Sequence, residues 1–496
     1  MDRANTSMFL PMFRLVFLCP LLVFMGCGGG NGKIPEPSTP ASDGLFPESS
    51  LWDRQVTYRT FRQADRSEVY KVAYSPATGS VCYILREAGL EDRSRIPSKW
   101  KNTVECRTRD GQVLMTRTHD TSGIFKDVLF KPDGSLILAE LVLADTGDAS
   151  SAPEFFLQIG HYSVQGQLLQ QKILEDIPSD QELIFYDIST NDEVTAISVP
   201  QLVDHGRPRI FDNAVVKLKW MNDTLYMLAY TYGVKVYRLS NLLENVWDTQ
   251  VMPAHTWLWV SLLQNNAAFD VNDAGELIVA FEGYTGEAAA YEQHFGRSLS
   301  KTNRSKDIFI EVYSRTGDYL RTLLVGDPVY AENLIGIVSE DRSLWIAANV
   351  RYNKNDPESD SDTEWDILLN AVSLQSGENL GYHLIDFERE DVAMDFHRLP
   401  NRNFLFAGVS GFDQADTNSQ ITFGQGTVLE TDGDGKITRS IKLKSPRNVV
   451  VYSSTVIDQD NILFSGVFDG PITHTCASDY SLCFQYGMVG AADLHR

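Results

Sequence analysis

The chain has 496 residues, with 66 Asp+Glu against 43 Lys+Arg and a formal net charge of −23. That balance excludes a general binder of nucleic-acid backbone, which needs clustered Lys and Arg. A composition of 43% hydrophobic and 11% aromatic residues excludes disorder throughout. Only one apolar stretch approaches membrane-spanning length, which excludes a multi-span membrane protein.

That stretch comes first. Residues 8–26 are apolar apart from Arg14, and Arg3 and Arg14 place positive charge ahead of the densest part. The pattern reads as a secretory signal, 1–26, whose apolar run is short and broken by proline. It ends at Phe24-Met25-Gly26-Cys27, a small residue directly before a cysteine. This resembles the lipobox of bacterial lipoproteins, with Phe24 and Met25 departing from the residues that family prefers. The resemblance implies lipidation of Cys27, and Gly28 after it favours sorting to the outer membrane. Residues 27–50 carry a Gly run and then Ile34-Pro35-Glu36-Pro37-Ser38-Thr39-Pro40, the composition of a tether. The body spans 51–496.

Four cysteines remain in the body: Cys82, Cys106, Cys476 and Cys483. An oxidising compartment permits three pairings. Cys82–Cys106 and Cys476–Cys483 are favoured because each pair sits in neighbouring β segments, with free buried thiols as the alternative.

Along the body one pattern recurs: an apolar strand, a polar turn, and a second apolar strand. The first apolar residues after the turns are Val81, Leu136, Leu225, Leu277, Leu344, Phe404 and Ile462. Their spacing is 52–67 residues except for one interval of 89, which contains a weaker eighth copy at 186–199. A second hairpin follows the first in units such as 308–324 and 367–385, so a unit is four strands in about 58 residues. A single four-stranded sheet cannot bury both faces, whereas radial stacking of such sheets does. The expected fold is therefore all-β: one β-propeller of four-stranded blades, seven rather than eight. The last unit lacks a fourth strand. The β-like segment Arg54–Arg62 is expected to supply it and close the ring. Asp133-Gly134-Ser135-Leu136-Ile137-Leu138 and residues 460–466 carry a resemblance to the delta-60 and SBBP-type propeller repeats of bacterial secreted proteins, which implies a fold and no single activity.

Chemistry is sparse. Glu430, Asp432 and Asp434 alternate before a glycine, like the start of a calcium loop. The closing glutamate is missing, and an Asp-Gly turn explains the same residues. The acidic run 356–366 reads as a solvated loop. His119, His205, His255 and His397 fall near strand ends where a channel site could form. Trp220, Trp257, Trp259 and Trp345 read as packing between blades. Ser339–Trp345 is similar to the Asp-box turn of sialidases, with Ser343 in place of its glycine, and reads as a blade turn. No cofactor motif is present; calcium is the one ion the pattern suggests. The expected function is a monomeric, lipid-anchored extracytoplasmic module that binds an envelope protein or glycan through blade loops, touches the membrane only through its lipid, and binds no nucleic acid. The alternative is an envelope hydrolase or lyase built from channel carboxylates, and a channel of mixed lining counts against it.

Overall fold

The computed structural model describes residues 56–494 apart from connecting segments, the longest being 90–99, 144–154, 253–266, 285–305, 353–363, 412–423 and 470–484. The signal, Cys27, the tether, Cys476, Cys483, His205, His255, Trp257 and Trp259 lie outside the described residues, so the second cysteine pairing does too. Among the described residues every regular element is a β-strand.

The strands form seven antiparallel blades. Blade one is Arg66–Tyr74, Val81–Ala88, Lys101–Arg107 and Val113–His119; blade two is Gly123–Phe130, Leu136–Leu143, Phe155–Tyr162 and Leu168–Ile177. Blade three is Val215–Met221, Thr224–Tyr230, Val234–Leu239 and Asn245–Met252; blade four is Ala267–Val271, Leu277–Tyr284, Lys306–Tyr313 and Tyr319–Val325. Blade five is Ala331–Glu340, Ser343–Tyr352, Glu364–Ser373 and Asn379–Ile385; blade six is Val392–Arg398, Phe404–Ser410, Gln425–Thr431 and Ile437–Leu443. Blade seven takes Val449–Val456, Asn461–Asp469 and Gln485–Asp493 from the end of the chain and Val56–Phe61 from its beginning. The first strand of each blade neighbours the first strand of the next, and the seventh returns to the first. The result is a closed seven-bladed ring.

The core explains the continuous apolar runs. A strand alternates its side chains between the two faces of its sheet, and here both faces meet another blade. In Thr224–Tyr230, Leu225, Met227 and Ala229 pack toward blade two, while Tyr226 and Leu228 pack toward blade four. The buried residues fall into seven clusters, one for each blade interface.

The hairpin within the long interval is not an eighth blade. Glu182–Asp187 and Asp192–Ser198 pair only with each other, and Val203–Asp204 with Arg207–Pro208 form a separate two-stranded piece. Blades two and three touch directly: Leu218 N donates to Asp127 Oδ2 at 2.7 Å, and the two share one apolar cluster. No space is left for a sheet between them.

Closure follows the expected route. Val56 pairs with Ala492 and Phe61 with Gly487 in antiparallel register. Ser67 locks the corner, donating to Phe61 O at 2.6 Å and accepting from Gly487 N at 2.8 Å. Thr455 of blade seven donates to Val72 O of blade one at 2.9 Å. The Cys82–Cys106 disulfide joins residues directly opposite in the second and third strands of blade one.

Candidate functional site

The inner surface of the ring is shaped by bulges. In the first strands of five blades the pairing skips one residue: Tyr70, Lys126, Ile335, Met394 and Tyr452. A bulge leaves its extra residue unpaired and re-aims the side chain. All five skipped residues line a cavity of about 170 Å³ on the ring axis. The first strands of blades three and four pair without interruption. Blade three supplies Val215, Val216 and Lys217 to the same cavity, and Glu68, Lys71, Asp127, Asp395 and Ser453 complete it.

Each carboxylate that follows a bulge also ties its blade to the next. Asp127 Oδ2 accepts from Leu218 N at 2.7 Å. Asp395 Oδ2 accepts from Ser454 N at 2.7 Å. In blade four, Asp270 Oδ2 repeats the contact without a bulge, accepting from Ser339 N at 2.7 Å and Ser339 Oγ at 3.0 Å, while Lys219 pairs with its other oxygen. All three are inter-blade latches, and Asp127 and Asp395 are cavity walls as well.

Most charges around the cavity are already matched. Glu68 pairs with Arg86 at 3.0 Å, and the Arg86 guanidinium lies 4.1 Å from the centre of the Tyr70 ring. Lys71 Nζ is 3.6 Å from Asp127 Oδ1. Burial opposes the Lys71 charge, but Asp127 and Asp395 prevail and hold its ammonium above the ordinary lysine range. Burial likewise opposes the Asp395 charge, yet His397 at 3.0 Å, Lys71 and the Ser454 amide hold that carboxyl well below its usual range. Lys217 is the exception. Among the described residues its Nζ has no hydrogen-bond or ion-pair partner. Burial first, and then repulsion from Lys71, pull it down to about 8.

Of the residues singled out from sequence, His397 alone reaches this neighbourhood, through Asp395. His119 ends the outermost strand of blade one and pairs with the buried Glu140 at 2.7 Å, away from the axis. Glu430 is buried and bound to Arg439, Asn401 at 3.0 Å and Asn403 at 2.5 Å. Asp432 caps a turn: its Oδ1 accepts from Asp434 N at 3.0 Å and Lys436 N at 2.9 Å, and Gly435 closes the turn at φ 74°. Ser163, Ser240 and Ser314 cap equivalent turns with the same pair of amide contacts. The alternation of carboxylates before a glycine is thus the signature of a hairpin turn here, and Asp434 is its exposed second residue. Trp220 and Trp345 pack at blade interfaces as expected, and Ser339 pairs with Leu344 and Glu340 with Ser343 where the first two strands of blade five meet.

One expectation is corrected. Asp366 was placed at the end of a solvated acidic loop, but it lies inside the strand Glu364–Ser373 and is fully buried. With Asp386 and Asp391 it forms the one group of three carboxylates, among the described residues, whose oxygens come within 4.8 Å of one another. Asp391 also accepts from Phe387 N at 2.7 Å, a turn contact that draws it toward the strand.

No protein-family model and no curated protein matches the chain. Among solved structures, a protein of unknown function from Bacteroides caccae is 10% identical, with 76% of this chain and 82% of that chain covered and a TM-score of 0.31. The C-terminal WD40 domain of Sif2 is 10% identical over 86% of this chain and 96% of that one, TM-score 0.39. A polysaccharide lyase of the PL25 ulvan lyase family is 9% identical over 82% and 93%, TM-score 0.43. These likenesses are to architecture.

Proposed function

We propose that the chain is an extracytoplasmic binding module, held to the bacterial envelope through a lipid on Cys27, whose axial cavity takes an anionic group of an envelope glycan or protein. The observation that supports this reading is Lys217, a lysine with no hydrogen-bond or ion-pair partner among the described residues, in a cavity where Glu68, Lys71, Asp127 and Asp395 are matched. A carboxylate entering there meets a donor that exchanges no existing partner. A charge-assisted hydrogen bond of this kind contributes about 1.5–3 kcal/mol. The hydrolase or lyase alternative asks for carboxylates free to act on the axis, whereas Asp127 and Asp395 are committed to backbone amides and to Lys71 and His397. The mixed lining favours binding.

Calorimetric titration with glucuronate and with glucose tests the site. The acid should bind, the neutral sugar should not, and Lys217→Gln should weaken binding about 10- to 100-fold. Equal affinity for both sugars, or no effect of the substitution, would remove the site. Replacing Cys27 with Ala tests the anchor: the protein should lose lipid label and leave the membrane fraction.

A further inference from the structure

We infer that Lys217 captures a small 2-oxo acid covalently, as a protonated imine formed inside the axial cavity. This inference rests on the proposed anion site and names its ligand chemistry.

Four observations carry it. Lys217 lines the cavity with Val215, Val216 and Lys71, and among the described residues no carboxylate lies within ion-pair distance of its amine, although Asp395, Asp127 and Glu282 act on it from further away and in part offset the burial and Lys71. A lysine becomes nucleophilic when desolvated or placed beside another cation, since both favour the neutral amine. Both conditions hold here, and they bring the amine to about 8, so a usable fraction is uncharged near neutral pH. Lys71 stays cationic because Asp127 and Asp395 flank it, and it is close enough to Lys217 to oppose its protonation. One amine is therefore ready to attack, and Lys126, a third lysine lining the cavity, adds the positive charge that a carboxylate seeks. Those are the two demands of a 2-oxo acid, whose carbonyl and carboxylate carbons are adjacent.

The cavity sets the size. An engineered cavity of about 150 Å³ takes benzene, so a volume of about 170 Å³ admits roughly six to eight heavy atoms, a whole small acid or the charged end of a larger one. Tyr452 and Ser453 line the cavity from blade seven, across the ring from blade three, and Ser453 Oγ, buried with no hydrogen-bond partner among the described residues, offers the carbonyl oxygen a polar neighbour. The step balances without an oxidant or reductant. The amine lone pair forms the new C–N bond while the carbonyl π pair moves to oxygen. One proton passes from nitrogen to that oxygen and a second comes from solvent. The oxygen leaves as water, and nitrogen keeps its remaining hydrogen and the positive charge.

The test uses the full chain with pyruvate as probe, sodium cyanoborohydride to fix any imine, and peptide mass mapping to locate it. Lactate serves as the carboxylate without a carbonyl and acetone as the carbonyl without a carboxylate. The expected result is an adduct at Lys217 at least tenfold in excess of that at the exposed Lys101 and Lys436, with a half-maximal rate near pH 8. Excess lactate should suppress it, acetone should favour Lys217 by less than pyruvate does, and Lys217→Arg should abolish the site-specific product. If Lys217→Arg does not fold, the mapping of the native chain still decides. Lactate binding without preferential labelling would overturn the covalent step and leave the anion site standing. Absence of binding by lactate and pyruvate alike, with no preferential labelling, would overturn both.

Discussion

Glu311 sits in the third strand of blade four, fully buried, with Tyr313 Oη and Thr322 Oγ1 donating to its carboxyl group. Burial pushes it up from 4.5 to about 8, so the folded protein keeps it protonated at neutral pH. The unfolded chain ionises it near 4.5, which means that the folded state holds the extra proton between those values. Stability contributed by the neutral acid is therefore complete below pH 4.5 and drains away as pH rises toward 8. At pH 7 the shift costs about 3 kcal/mol, and above pH 9 it approaches about 5 kcal/mol. Glu311→Gln keeps the shape and the hydrogen-bonding capacity but removes the ionisation. Urea unfolding of both proteins at pH 4, 7 and 9 should show no difference at pH 4, a Gln advantage of about 3 kcal/mol at pH 7, and a larger one at pH 9. A stability difference that stays constant across this range would refute the reasoning, because packing alone has no pH dependence.

Removing residues 56–61 should expose the edge of Gln485–Asp493, lower the melting temperature sharply, and produce concentration-dependent association on size exclusion, since an unpaired strand edge recruits another. Replacing Cys82 and Cys106 with Ser together should lower unfolding free energy by roughly 3 kcal/mol in the chain-entropy description, measured against the oxidised protein. Gly408→Ala should be costlier than its one methyl suggests. A Cβ there would overlap Val392 O, a backbone atom beside the blade-six bulge that cannot swing aside, so a loss of about 3 kcal/mol is expected in the same assay.

The ring was legible in sequence because its information is redundant. Seven copies of one hairpin pattern outvote any single ambiguous strand, and the absence of a fourth strand after Gln485–Asp493 pointed to the orphan segment that supplies it. The cavity was not legible for the opposite reason. Tyr70, Lys126 and Tyr452 reach the axis through bulges of one residue each, and a slip of one residue reverses which side chains face inward. Alternation alone does not reveal where that slip occurs. Lys217 arrives on an uninterrupted strand, but nothing local distinguishes it from Lys219, two residues later and on the same face, which finds Asp270 across the blade boundary. Asp366 was misread because its acidic run continues unbroken from loop into strand, so composition gave no edge. At Asp432 a hairpin cap and the start of a cation loop draw on the same residue types, so the sequence supports both readings.

Ring closure also sets a timetable. Val56–Phe61, which precedes every other described strand, pairs with Gln485–Asp493, which follows them all. During synthesis the six blades that precede the last can assemble from neighbours close in sequence, whereas the seventh waits for the far end of the chain to arrive. Bringing such distant segments together is the slow, entropically demanding part of reaching the native state. Until it happens, both partners are open edges that invite wrong pairings.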